Sequence, residues 1–134
     1  MLKLKIPGPE VYMRRVLVCD DDKEILEVLE LVLTGAGWEV ITSEHVNGII
    51  EQVENSKPSV IIMDTWIPDT GGIIATQHIK SHPIYRTIPV VYSTANDNIT
   101  ELARQAGADL SIGKPFDLDQ FERIMEQAYL LNNK

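Results

Sequence analysis

The chain has 134 residues, 44% hydrophobic and 24% charged, with a formal net charge of −8. That length fits one domain with a real core rather than two, and the acidic balance argues against nucleic acid as a direct partner, which would need clustered Lys and Arg. A single cysteine, Cys19, rules out an internal disulfide framework and fits a reducing cytoplasm. No apolar run approaches the ~18 residues of a membrane span.

The opening stretch "MLKLKIPGPEVYMRR" is too short in apolar residues for a signal peptide. Its Pro7-Gly8-Pro9 break predicts a flexible leader over residues 1–14, with Met13 as an alternative start and the domain proper over 15–134. "RVLVC" (15–19) reads as a short buried strand. Over 23–34, Ile25, Val28, Leu29, Val32 and Leu33 recur at helical spacing, opposite Glu24, Glu27, Glu30 and Thr34, and Gly35 and Gly37 supply the stop. "WEVIT" (38–42) is a second strand, followed by a weaker helix with Val46, Ile49, Ile50 and Val53, softened by Gly48. "VIIM" (60–63) is a third strand, and 71–81 is a helix ended by Pro83. "PVVYS" (89–93) is a fourth strand, 98–106 a short helix stopping at Gly107, and "DLSI" (109–112) a fifth strand. The last helix carries Phe121, Ile124, Met125, Ala128 and Tyr129 on one face, behind a capping pair of Asp117 and Gln120.

Strands and helices that alternate five times imply an α/β domain with a doubly wound, five-stranded parallel sheet covered on both faces. Nearly all-apolar strands 1, 3 and 4 fit the centre of such a sheet. Ligands in these folds bind beyond the carboxyl ends of the strands. The residues there are Asp20 and Asp21 after strand 1, Asp64 after strand 3, Thr94 after strand 4 and Lys114 after strand 5. Each has a bland reading alone: a solvated turn for Asp20 and Asp21, a turn residue for Asp64, surface charge for Lys114. Asp22 reads as a helix N-cap. Together, three carboxylates suit a hard divalent cation such as Mg²⁺, with a hydroxyl and an ammonium ready for a phosphoryl group.

The segments "VLVCDDD", "VIIMDTWIPDTGG", "PVVYSTA" and "GADLSIGKPF" resemble the signature segments of response-regulator receiver domains, in the right order from residue 15 to about 131. The most specific pieces are Asp64 with Pro68 four residues on and Gly72 eight on, and the Lys114-Pro115-Phe116 triplet. The resemblance implies a flavodoxin-like (βα)5 fold and phosphorylation of Asp64. Asp20, Asp21, Asp64 and the backbone carbonyl of Trp66 would hold Mg²⁺, Thr94 would contact the phosphoryl group, and Lys114 would pair with it. The donor would be a phosphohistidine on a histidine kinase or phosphotransfer protein, and hydrolysis of the acyl phosphate would reset the domain. Beyond this self-phosphorylation and self-dephosphorylation the resemblance implies no enzyme activity. The fourth helix, fifth strand and last helix would form the output face and a homodimer contact. The location would be cytoplasmic, without direct contact to nucleic acid or membrane.

Two departures stand out. Ser111 occupies the place of the usual aromatic three residues before the lysine, leaving Tyr92, two residues before Thr94 in strand 4, as a substitute reporter. The stretch from Thr94 to Gly107 is also about two residues shorter than is common in the family, which trims the fourth helix. One alternative is a haloacid-dehalogenase-like phosphohydrolase, with Asp20 as nucleophile in Asp20-Asp21-Asp22. It finds Glu24 where Thr or Val is expected, and gives Asp64 no role. Another is a phosphorylation-independent interaction module, which would need a broken site. His78 and His82, four residues apart before Pro83, read as helix-surface histidines rather than zinc ligands.

Overall fold

The structure, a computed structural model, describes residues 14–64, 71–94 and 99–132, with Thr94 described by its backbone. The expected leader, apart from Arg14, lies outside these residues, as does Trp66. The elements follow in strict alternation: β1 (Arg15–Cys19), α1 (Lys23–Gly35), β2 (Glu39–Ser43), α2 (Ile49–Ser56), β3 (Val60–Asp64), α3 (Gly72–Ser81), β4 (Val90–Thr94), α4 (Ile99–Ala106), β5 (Leu110–Gly113) and α5 (Leu118–Asn132). A single 3₁₀ turn at Tyr85–Thr87 joins α3 to β4. The five strands form one parallel sheet in the order β2-β1-β3-β4-β5. The all-apolar strands 1, 3 and 4 are its three inner strands, and β2 and β5, with mixed burial, are its edges.

Alternation along the strands divides the core in two. Val16, Val18, Val60, Ile62, Val91 and Ile112 face α1 and α5, where Leu29, Leu33, Phe121 and Met125 meet them. Leu17, Cys19, Ile61, Met63, Val90 and Tyr92 face α2, α3 and α4, against Val53, Ala75, Ile79 and Ala106. A sheet buried on both sides this way needs near-continuous apolar strands, as the sequence provides.

Several elements differ in detail from the sequence expectation. Strands β2, β4 and β5 start one residue later than read, and both Asp64 and Thr94 close their strands instead of following them. Gly48 does not sit within the second helix; it precedes it at φ 62, a left-handed conformation that glycine adopts without strain. Helix α1 is rotated from the expected stripe. Leu26 is 6% exposed, whereas Val28 is 54% exposed, so the inward residues are Leu26, Leu29 and Leu33, flanked by Ile25 and Val32. The cause is packing: the helix docks where Trp38 and Tyr129, in edge-to-face contact at 5.8 Å, belong to the same core.

That rotation has a direct consequence for stability. Leu26→Ala should cost about 2–4 kcal/mol in urea unfolding, as truncation of a buried leucine does. Val28→Ala should stay within about 0.5 kcal/mol. Equal effects at the two positions would contradict the observed helix orientation.

Candidate functional site

Two strand ends bring the three predicted carboxylates together. Asp20 follows β1, Asp64 ends β3, and Asp21 is the next residue after Asp20; an oxygen from each lies within 4.8 Å of the others. Asp20 is 3% and Asp64 4% exposed, while Asp21 faces solvent. At about 4 Å, two carboxylates repel by about 4 kcal/mol even at an effective dielectric of about 20. The compensating charge is Lys114, just past β5. Its Nζ donates to Asp20 Oδ2 at 2.8 Å and lies 3.6 Å from Asp64 Oδ1.

Local structure fixes each of these groups. The second oxygen of Asp20, Oδ1, accepts the Asp22 backbone N–H at 2.9 Å, which orients the carboxylate at the mouth of the turn. Asp22 Oδ1 accepts the N–H of Glu24 at 2.9 Å and of Ile25 at 3.4 Å, so it is the N-cap of α1, as its position suggested. Phe116 packs into the core beside Phe121, with ring centroids 5.2 Å apart, and so anchors the loop that carries Lys114. At the start of α5, Asp117 Oδ1 accepts the Gln120 N–H at 3.2 Å.

Of the predicted site residues, Asp20, Asp21, Asp64 and Lys114 converge. Thr94 ends β4, paired in register with Gly113. The Trp66 carbonyl lies outside the described residues. Tyr92 is wholly buried, paired in register with Ser111. His82 lies just past the helix as its C-cap instead of on its surface, and its Nδ1 accepts the N–H groups of Ile84 and Tyr85 at 3.1 and 3.3 Å, a structural role. Among the described residues, the three aspartates are the one group placed to hold a metal ion. Their donors are all hard oxygens, which fits Mg²⁺. Sequence reasoning assigned Lys114 to a phosphoryl group and did not foresee its pairing with Asp20. It also passed over Ser93, a buried hydroxyl paired in register with Asp64.

An apolar groove of about 480 Å³, lined by Ile25, Val28, Leu29, Pro115 and Phe116, opens beside Lys114. Among the described residues no helix is long and apolar enough to cross a membrane.

Residues 16–126 match the family model described as the response regulator receiver domain. The DNA-binding transcriptional regulator NtrC of Proteus hauseri is 34% identical over 115 residues, covering 84% of this chain and 24% of that protein. The transcriptional regulatory protein KdpE of Mycobacterium tuberculosis is 34% identical over 111 residues, 81% of this chain and 48% of its own length. The chain thus spans half or less of these curated relatives. The receiver domain of the sensor histidine kinase PA1611 from Pseudomonas aeruginosa, solved with a magnesium ion coordinated in its active-site cleft, superposes with a TM-score of 0.80 at 25% identity, covering 87% of this chain and 98% of that one. The chemotaxis protein CheY4 of Vibrio cholerae, at 22% identity and a TM-score of 0.78 over 87% of this chain and 98% of its own, shares the fold. None of these matches supports the phosphohydrolase alternative.

Cys19, one residue before Asp20, is fully buried, and burial together with the Asp20 charge pushes its thiol up to about 12. Because the thiolate is the reactive form, the native protein should resist an aromatic disulfide reagent at about pH 8 and react fully once unfolded in urea. Rapid labelling of the native chain would contradict the burial.

Proposed function

Because this chain belongs to the response regulator receiver domain family, we propose that Asp64 accepts a phosphoryl group from a phosphohistidine on a histidine kinase or histidine phosphotransfer protein in the cytoplasm. The observation that carries this reading is the buried Asp64 carboxylate at the end of a central strand, 3.6 Å from the Lys114 ammonium and grouped with Asp20 and Asp21.

An Asp64 oxygen attacks the phosphorus in line; the P–N bond breaks and its electron pair returns to the imidazole nitrogen. The product is an acyl phosphate on Asp64. Lys114 pairs with a phosphoryl oxygen, and the Thr94 hydroxyl donates to another. Asp20, Asp21, Asp64 and the Trp66 carbonyl would hold Mg²⁺, which supplies positive charge where two anionic groups must meet. Charge neutralisation and positioning provide most of the help in phosphoryl transfer. In the reset, water attacks the phosphorus and Asp64 leaves as a carboxylate, releasing inorganic phosphate. No other substrate is assigned to the site.

The groove around Val28 and Phe116 is where we place the phosphohistidine-bearing partner, since it is apolar and adjoins Lys114. Phosphorylation adds charge and acceptor oxygens, which bias a two-state loop equilibrium read on the face of α4, β5 and α5, where a homodimer or an output protein would contact the domain.

Beryllofluoride with Mg²⁺ mimics the phosphoryl group on aspartate. Titrated by calorimetry, the wild-type chain should bind it and Asp64→Asn should show no detectable binding. An Asp64→Asn chain that titrates like wild type would sink the reading.

A further inference from the structure

Four side chains share the α1/α5 face of the sheet at its carboxyl edge. Alternation from Val18 and Ile62 puts Asp20 and Asp64 there, and alternation from Val91 puts Ser93 there. Ser93 pairs in register with Asp64 on one side and with Ile112 on the other, and Lys114 follows Ile112 by two residues. Adjacent strands lie about 4.8 Å apart, so the Ser93 hydroxyl is a direct neighbour of the Asp64 side chain. Ser93 is 1% exposed, and its Oγ has no hydrogen-bond partner among the described residues. Leaving a buried hydroxyl unpaired is unfavourable, and residues facing a core usually avoid it. A hydroxyl kept there in that state needs a reason.

The reason lies with Lys114. Its ammonium has three N–H donors and sits on Asp20 Oδ2, and Asp20 is one of the three carboxylates grouped to hold a cation. A cation bound by Asp20 would compete with this largely buried ammonium for the same carboxylate. We propose that Ser93 is a positioning residue of this site: its Oγ accepts from Lys114 Nζ once Asp20 is engaged elsewhere, while its O–H donates to the Asp64 carboxylate. A hydroxyl can do both at once, whereas a methyl group can do neither. Ser93 thereby holds the ammonium beside Asp64, where a phosphoryl group is to arrive. This role rests on the reading of Asp64 as the phosphoacceptor.

The test is a double-mutant cycle on Mg²⁺ affinity, measured by calorimetry on the full chain without any phosphodonor. Ser93→Ala should weaken Mg²⁺ about tenfold, the loss of a hydrogen bond to a charged group. In a Lys114→Met background the same change should cost clearly less, because only the bond to Asp64 is then lost, a dependence on Lys114 that a merely structural role for Ser93 would not produce. The thermal midpoint of metal-free Ser93→Ala should be unchanged or raised, because no hydrogen bond is lost in that state. Unchanged affinity in Ser93→Ala, or an equal loss in both backgrounds, overturns the proposal. Acetyl phosphate labelling of the wild-type chain away from Asp64 would instead overturn the phosphoacceptor reading and leave the Mg²⁺ cycle to stand by itself.

Discussion

The site depends on one electrostatic constraint: buried carboxylates at neighbouring strand ends need a positive charge between them. Asp20 and Asp64 are both almost fully buried, and Lys114, just past β5, meets them at 2.8 and 3.6 Å. Without an opposite charge, burial of an ionised carboxylate costs several kcal/mol, on the order of the whole domain's margin of stability. The lysine makes the metal-free fold tenable. The same contact sets up a competition in the proposed mechanism, because a cation held by Asp20, Asp21 and Asp64 would compete with the lysine for Asp20, and Lys114 would stay beside Asp64.

The fold delivers this arrangement through strand order and parity. With β1 and β3 adjacent, and β4 and β5 following, the carboxyl ends that carry Asp20, Asp64, Ser93 and Lys114 lie side by side. The anchors are packing and caps. Phe116 fixes the Lys114 loop against Phe121, and Asp22 starts α1 at the place where Asp20 must turn inward. The exposed Val28 lines the apolar groove that adjoins Lys114.

Much of this was legible in the residues. Three apolar runs, "RVLVC", "VIIM" and "PVVYS", became the inner strands because a strand buried on both faces has no polar alternation to hide. Asp22 was recognisable as a cap because a carboxylate directly before a helical stripe has few other uses. The rotation of α1 was not legible. In "EILEVLELVL" apolar residues come in adjacent pairs, so two stripes fit the helical period, and only docking against Trp38 and Tyr129 selects between them. Ser93 was invisible for a related reason: which hydroxyl lies beside Asp64 depends on register between β3 and β4, which no local pattern encodes. The contact between Lys114 and Asp20, ninety-four residues apart, likewise follows from topology.

The central claim, that these strand ends converge to make Asp64 and no other aspartate the phosphoacceptor, is tested most directly by locating the adduct. The chain is treated with acetyl phosphate and Mg²⁺, the acyl phosphate is trapped with borohydride, and the reduced residue is found by peptide mass. Reduction at Asp64 alone is the predicted result. Reduction at Asp20 would contradict it and return the site to the chemistry of a phosphohydrolase.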